Sequence, residues 1–192
     1  MSLFQTYFQL GLEHIADFNG YDHILFIVAL CAIYRLAQWR EVLILVTAFT
    51  IGHSITLALA ALNLVVFPAS VIEFLIPVTI IATAIANCLP TQIDTRQIQW
   101  KYCLALFFGF IHGLGFSNFF RGTLMEGESI VKPLLAFNIG VEVGQILIVA
   151  VVLALAAIVM NLLKVKQRDW TLFVSGAATG VALTLMIEAK FW

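Results

Sequence analysis

The sequence predicts an all-α membrane protein with six transmembrane helices, preceded by an N-terminal amphipathic helix at the membrane interface. Hydrophobic residues make up 62% of the 192 residues, and charged residues only 11%. A soluble domain is about 45–50% apolar and about 25% charged, so the expected surroundings are a lipid bilayer. The length suits one polytopic membrane domain over residues 1–192. The net charge of −1 gives no indication of nucleic-acid binding.

Six apolar segments have about the 20 residues that a helix needs to cross the hydrocarbon core. They lie at about 22–38, 41–62, 70–89, 100–120, 133–161 and 170–190. Residues 3–17 are more polar, and Gln5, Gln9, Glu13 and Asp17 recur at every fourth position. That spacing puts the four on one helix face, so we expect this helix to lie at the interface. The N-terminus lacks the basic region and cleavage site of a secretory signal.

Basic residues predict the orientation of these segments. Seven fall in the first, third and fifth loops and three on the opposite side, which favours odd loops in the cytoplasm and both termini outside. The seven are Arg35, Arg40, Arg96, Lys101, Lys164, Lys166 and Arg168, and the three are Arg121, Lys132 and Lys190.

Polar residues inside the apolar segments are the candidates for a site. His53 follows Glu41 by twelve residues, which is about 18 Å along a helix at ~1.5 Å per residue. Counting residues from the ends of their helices also puts His112 and Glu142 in the outer half of the bilayer. The first apolar segment begins there too, at Asp22 and His23, and we expect these side chains to meet. The full candidate set is His14, Asp22, His23, His53, His112 and Glu142.

The chemistry of this set favours a divalent transition metal. An ionised carboxylate inside a membrane is expected to be paired, protonated or bound to a cation. Neutral imidazole is the commonest protein ligand for zinc, nickel and copper. Ca²⁺ and Mg²⁺ would be expected to recruit more oxygen ligands. The three cysteines are scattered with no Cys-x-x-Cys spacing, so no thiolate site is expected.

Small residues recur at every fourth position on three of the predicted spans. Gly109 and Gly113 do so beside His112, and Gly140 and Gly144 beside Glu142. This spacing lets helix backbones approach closely, so we expect it to draw His112 and Glu142 together. The last predicted span also has small residues at every fourth position.

Other interpretations remain open for each candidate. Asp22 could serve only as a helix cap, and His14 could be only an interfacial residue. His53 and His112 could each satisfy a carbonyl or hydroxyl group of a neighbouring helix. Glu142 could belong to a structural hydrogen-bond network with Asn138 and Gln145, which share its helix face. At the level of function, the alternatives are a metal-dependent intramembrane hydrolase and a non-catalytic membrane subunit. In the hydrolase, His23, His53 and His112 would be the ligands of a zinc-activated water.

Five blocks that contain the candidates resemble the HupE/UreJ family of hydrogenase and urease accessory membrane proteins. In chain order they are GLEHI at 11–15, GYDH at 20–23, FTIGHS at 49–54, GFIHGLGF at 109–116 and AFNIGVE at 136–142. The resemblance covers roughly residues 10–150. The connection from His14 to Asp22 departs from it, because the family has a shorter His-to-Asp-His spacing.

The resemblance implies a multi-pass protein regarded as a permease for nickel, with cobalt as an alternative. The ligand chemistry leaves zinc as a further alternative. It implies that the metal is handled by the histidines and acids of the matching blocks, which are the six candidates above. The implied location is the bacterial inner membrane. The implied partners are the metal ion and the lipid bilayer, with a homo-oligomer or a larger complex as further expectations.

Overall fold

The chain folds into helices throughout the part that the structure, a computed structural model, describes. The described residues are 2–18, 20–89, 95–124 and 129–190, and they contain no strand. Their helices are α1 Leu3–Ile15, α2 Asp22–Cys31, α3 Trp39–Ala61, α4 Ala69–Cys88, α5 Thr95–Thr123, α6 Val131–Leu162 and α7 Gln167–Glu188. A short 3-10 helix, Leu36–Gln38, leads into α3.

Helices α3 to α7 are the five that are long and apolar enough to cross a membrane. They correspond to the second to sixth predicted spans. The membrane-protein character and the all-α class are therefore confirmed for the described residues.

Helix α2 is shorter than the predicted first span of 22–38, because it ends at Cys31 after ten residues. The last carbonyls of a helix need hydrogen-bond donors from outside the helix. The Asn87 side chain donates to the Ala29 carbonyl at 2.7 Å, and the Thr171 hydroxyl donates to the Ala32 carbonyl at 2.9 Å. Side chains of α4 and α7 thus replace the helical hydrogen bonds that α2 gives up.

Helix α1 has the predicted amphipathic pattern, but its apolar face packs on protein. Its polar face is exposed as expected. On the other face, the backbones of α1 and α6 are in contact at Gly11 of α1 and Gly140 of α6. A Cβ at Gly11 would overlap the Phe137 carbonyl. Tyr7 and Ile15 are buried on either side of this contact. The expected interfacial helix is therefore a packed part of the bundle.

The two short helices reach opposite ends of the bundle. Near the start of α1, the Tyr7 hydroxyl donates to the carbonyl of Thr123, the last residue of α5, at 2.7 Å. At the end of α2, the Ala32 carbonyl meets Thr171 in the first turns of α7. We call these two ends the α1 end and the α2 end.

Helices α3 and α5 pack with their backbones in contact. A Cβ at Gly52 would overlap the Leu106 carbonyl, and one at Gly109 would overlap the Phe49 carbonyl. Gly113 lies in the same way against the His53 carbonyl. The glycines of α5 therefore draw it toward α3 and His53, and the expectation that they approach α6 was wrong.

The glycines of α6 contact α1, whereas those of α7 face open space. Gly140 lies against the Phe8 carbonyl and Gly144 against Ile15. Among the described residues, no atom of another helix would lie within 4 Å of a Cβ added at Gly176 or Gly180. Equal spacing in the sequence therefore corresponds to different surroundings.

We predict that Gly109→Ala destabilises the protein, by about 1–3 kcal/mol, because the added methyl group separates two packed backbones. Gly180→Ala is the matched control, and its melting temperature should be unchanged or slightly raised because alanine favours helix. Thermal unfolding in detergent measures both. Equal melting temperatures for the two variants would contradict the α3–α5 contact.

Candidate metal centre

The four histidines of the chain converge between the helices. Ring centroids are 4.6 Å apart for His14 and His23, 5.0 Å for His23 and His112, and 5.6 Å for His14 and His53. His14 comes from the end of α1, His23 from the start of α2, and the other two from the contact between α3 and α5. The histidines predicted to meet are thus brought together.

The site lies well inside the bundle. His53 precedes the end of α3 by eight residues and His112 precedes the end of α5 by eleven. At ~1.5 Å per residue these are depths of about 12 Å and about 16 Å from the α1 end.

Five side chains offer metal-ligand atoms in two overlapping groups. The first group is His14, His23 and His53, and the second is Asp22, His23 and His112. Within each group the ligand atoms lie within 4.8 Å of one another. Ligands at 2.0–2.1 Å from a tetrahedral ion are about 3.4 Å apart, so small side-chain rotations would close either group around a cation.

Each imidazole has a buried nitrogen without a hydrogen-bond partner. His53 is 0% exposed, and neither its Nδ1 nor its Nε2 has a partner among the described residues. The other unpartnered atoms are Nε2 of His14, Nε2 of His23 and Nδ1 of His112. Buried polar atoms are almost always hydrogen-bonded, so this concentration of unpaired nitrogens requires a chemical explanation.

A threonine contacts one nitrogen of His112. The Thr79 hydroxyl lies 2.7 Å from the Ile76 carbonyl and 3.0 Å from His112 Nε2. With its hydrogen on the Ile76 carbonyl, the hydroxyl accepts the Nε2–H of His112, and the unpartnered Nδ1 then presents a lone pair. This is the arrangement by which outer hydrogen bonds orient metal-binding histidines.

Asp22 plays the equivalent part for His23. Its Oδ1 lies 3.1 Å from His23 Nδ1 and also accepts the His23 backbone N–H at 2.9 Å. A carboxylate only accepts, so Nδ1 carries the proton and the unpartnered Nε2 is free to bind a cation. The expected capping role is not what Asp22 performs, because Tyr21 is the N-cap residue of α2 and Asp22 is its first residue.

Phenylalanines enclose the cluster on the side of the α2 end. The Phe26 ring stacks on Phe49 at 4.9 Å and lies 5.3 Å from His112. Phe108 meets Phe26 edge-on at 6.1 Å. Phe26 and Phe108 also line a cavity of about 420 Å³ that extends toward the α2 end. Phe26 thus separates His112 from this cavity.

Glu142 lies outside both groups of ligand atoms. The Thr47 hydroxyl donates to its Oε1 at 2.5 Å, and its buried Oε2 has no hydrogen-bond partner among the described residues. One turn further along α6, Gln145 accepts from Thr50 at 3.0 Å. Glu142 therefore belongs to a second polar cluster between α3 and α6, and its role as a ligand stays a prediction.

Sequence reasoning missed Thr79 and the phenylalanines. A lone threonine in an apolar span gives no signal, and only the fold brings it to His112. The Phe residues were indistinguishable from other apolar residues of the spans. His14, by contrast, was among the sequence candidates, and it joins the cluster although its distance from Asp22 in the sequence is unusual for the family.

The chain matches the family model described as HupE / UreJ protein over residues 1–190. It belongs to this family. The resemblance carried by the five sequence blocks is thereby confirmed, and no curated protein or solved structure matches the chain. Membership in the HupE/UreJ family indicates a membrane protein with a role related to metal transport, accessory rather than catalytic.

We predict that Thr79→Val weakens binding of Ni²⁺ by about tenfold or more, because the tautomer of His112 is no longer fixed. Thr79→Ser keeps the hydroxyl and should bind like the wild type. Thr83→Val, one turn further along the same helix, is the matched control and should leave the affinity unchanged. Calorimetric titration with Ni²⁺ in detergent measures the affinity of each variant. Equal affinities for Thr79→Val and Thr83→Val would contradict the role of Thr79.

Proposed function

We propose that this HupE/UreJ protein binds a divalent transition-metal ion in the histidine cluster and carries it across the membrane. The observation that supports this most strongly is His53, a fully buried imidazole with both nitrogens unpartnered among the described residues. A histidine kept for structural reasons would be expected to bond to a neighbouring helix. An imidazole that binds a cation needs a free lone pair instead.

The donor set favours nickel, with zinc or cobalt as alternatives. His14, His23, His53 and His112 offer nitrogen ligands, and Asp22 offers an oxygen. Imidazole-rich sites without thiolate suit borderline divalent ions. The ion is the cargo of this protein, so its binding must be reversible.

We further propose that α1 and α2 together form the first of six membrane crossings. Helix α1 runs inward from the α1 end and α2 continues from Asp22 to the α2 end. Broken helices of this kind place binding groups inside transporters. The distribution of basic residues supports an extracytoplasmic α1 end, with both termini outside, in a bacterial inner membrane.

The surroundings of the cluster suit release toward the α2 end. Phe26 contacts His112 and lines the 420 Å³ cavity, so a movement of this ring would open a route from the cluster to the cavity. Lys101 lines the same cavity, and its positive charge would keep a cation from being retained there. Strong binding on one side of Phe26 and weak binding on the other is what directional release requires.

A metal-dependent hydrolase is the less supported alternative. It would need a general base beside the metal-activated water. Asp22 is the only carboxylate in the two ligand groups among the described residues, and it is engaged by two N–H groups of His23. The geometry therefore supports metal binding more directly than catalysis.

We predict that the purified wild type binds Ni²⁺, and that replacing both His53 and His112 with alanine abolishes binding. Elemental analysis of detergent-purified protein after removal of free metal measures the occupancy. Gln145→Leu changes an equally buried polar residue outside the cluster and is the control that should keep its metal. Wild-type protein without bound metal, under conditions in which it is folded, would contradict the proposed function.

The same measurement on Glu142→Gln tests the sixth candidate. Glutamine keeps the shape and the hydrogen bond from Thr47 but removes the charge. Loss of metal would make Glu142 part of the site, whereas wild-type occupancy would restrict the site to the four histidines and Asp22.

We predict that a cysteine at Val66, in the exposed α3–α4 loop, reacts with a membrane-impermeant thiol reagent added outside intact cells. A cysteine at Ala37, on the opposite side, should react only after the cells are broken. The wild-type protein is the control, because it shows how far the three native cysteines react with the reagent. The reverse pattern would invert the proposed orientation.

A further inference from the structure

A second cavity, of about 350 Å³, lies toward the α1 end and reaches the histidine cluster at Asp22. Its walls come from the turn before α2, the first turns of α4 and the end of α7. The lining residues on which the argument depends are Asp22, Glu73, Pro77 and Glu188.

The cavity carries negative charge alone. Asp22, Glu73 and Glu188 line it, and none of its described lining residues is Lys, Arg or His. Glu73 and Glu188 are exposed, and neither forms a salt bridge within the described part of the chain. Walls that carry one sign of charge raise the local concentration of ions of the opposite sign.

The backbone adds a further oxygen. Pro77 has no N–H, so the Glu73 carbonyl four residues earlier lacks its helical donor. Both residues line the cavity. A carbonyl without its helical donor therefore belongs to a residue of the cavity wall.

The bottom of the cavity leads to buried groups that lack partners. The Asp22 side chain is 24% exposed, whereas that of His23, to which it bonds, is 5% exposed. His23 Nε2 is buried and unpartnered, and His53 and His112 beyond it are 0% exposed. Asp22 is therefore the point at which the cavity meets the ligand nitrogens.

We propose that this cavity is the entry vestibule of the metal ion, and that Glu73 and Glu188 are its capture residues. They attract the hydrated divalent cation electrostatically, and Asp22 passes it to His23. The inference rests on the proposed function and adds two residues to it. Because capture precedes binding, Glu73 and Glu188 govern the association rate and not the number of ions held.

The test is rapid mixing of Co²⁺ with the purified full-length protein in detergent, followed by the absorbance of the bound ion. Glu73→Gln/Glu188→Gln should slow association about threefold to tenfold at low ionic strength, with unchanged stoichiometry. The difference should vanish near 1 M salt, where the screening length is about 3 Å. Glu41→Gln removes the same charge near the α2 end and should associate at the wild-type rate.

The outcomes separate the two proposals. A wild type that binds no Co²⁺, Ni²⁺ or Zn²⁺ would overturn the proposed function. Normal binding with an unchanged rate in the double variant would overturn only the vestibule. Loss of stoichiometry in a variant that melts like the wild type would make the acids ligands and overturn their capture role. The two single variants, each expected to show part of the slowing, decide the question if the double variant fails to fold.

Discussion

Close contact between the backbones of α3 and α5 is the constraint on which the histidine cluster depends. At Gly52, Gly109 and Gly113 an added Cβ would overlap a backbone carbonyl of the facing helix. The backbone N–H of His53 would lie only 3.1 Å from a Cβ at Gly109, so even alanine there would crowd the helix that carries a ligand. The same contact brings His53 and His112 within reach of groups from α1 and α2.

The break between α1 and α2 supplies the rest of the centre. It places Asp22 in the first turn of a helix that starts inside the bundle, where the positive end of the helix dipole favours a carboxylate. That carboxylate in turn orients His23. The opposite end of α2 is a separate feature, where Asn87 and Thr171 donate to the last carbonyls of the helix.

Hydropathy and helix depth predicted much of this from the sequence. The five long helices follow from apolar length alone, and counting residues from helix ends brought His53 and His112 to a similar level. The end of α2 at Cys31 was not predictable, because the donors that replace its hydrogen bonds belong to α4 and α7. Glycine spacing showed that a helix can approach a neighbour but not which one, so Gly109 and Gly140 were assigned to the wrong contact. Thr79 has meaning only through its contact with His112.

Reversible binding requires ligands that hold an ion firmly without enclosing it permanently. The proposed site would meet this requirement through imidazoles from four separate helices, and its second group, Asp22, His23 and His112, is reachable at Asp22 and bordered by Phe26 at His112. Movement of any one helix would remove a ligand. X-ray absorption spectroscopy of the Ni²⁺-loaded protein tests the central claim most directly. The account predicts nitrogen and oxygen scatterers near 2.0–2.1 Å with the multiple scattering of at least three imidazoles. A spectrum with sulfur ligands, or without imidazole scattering, would contradict it.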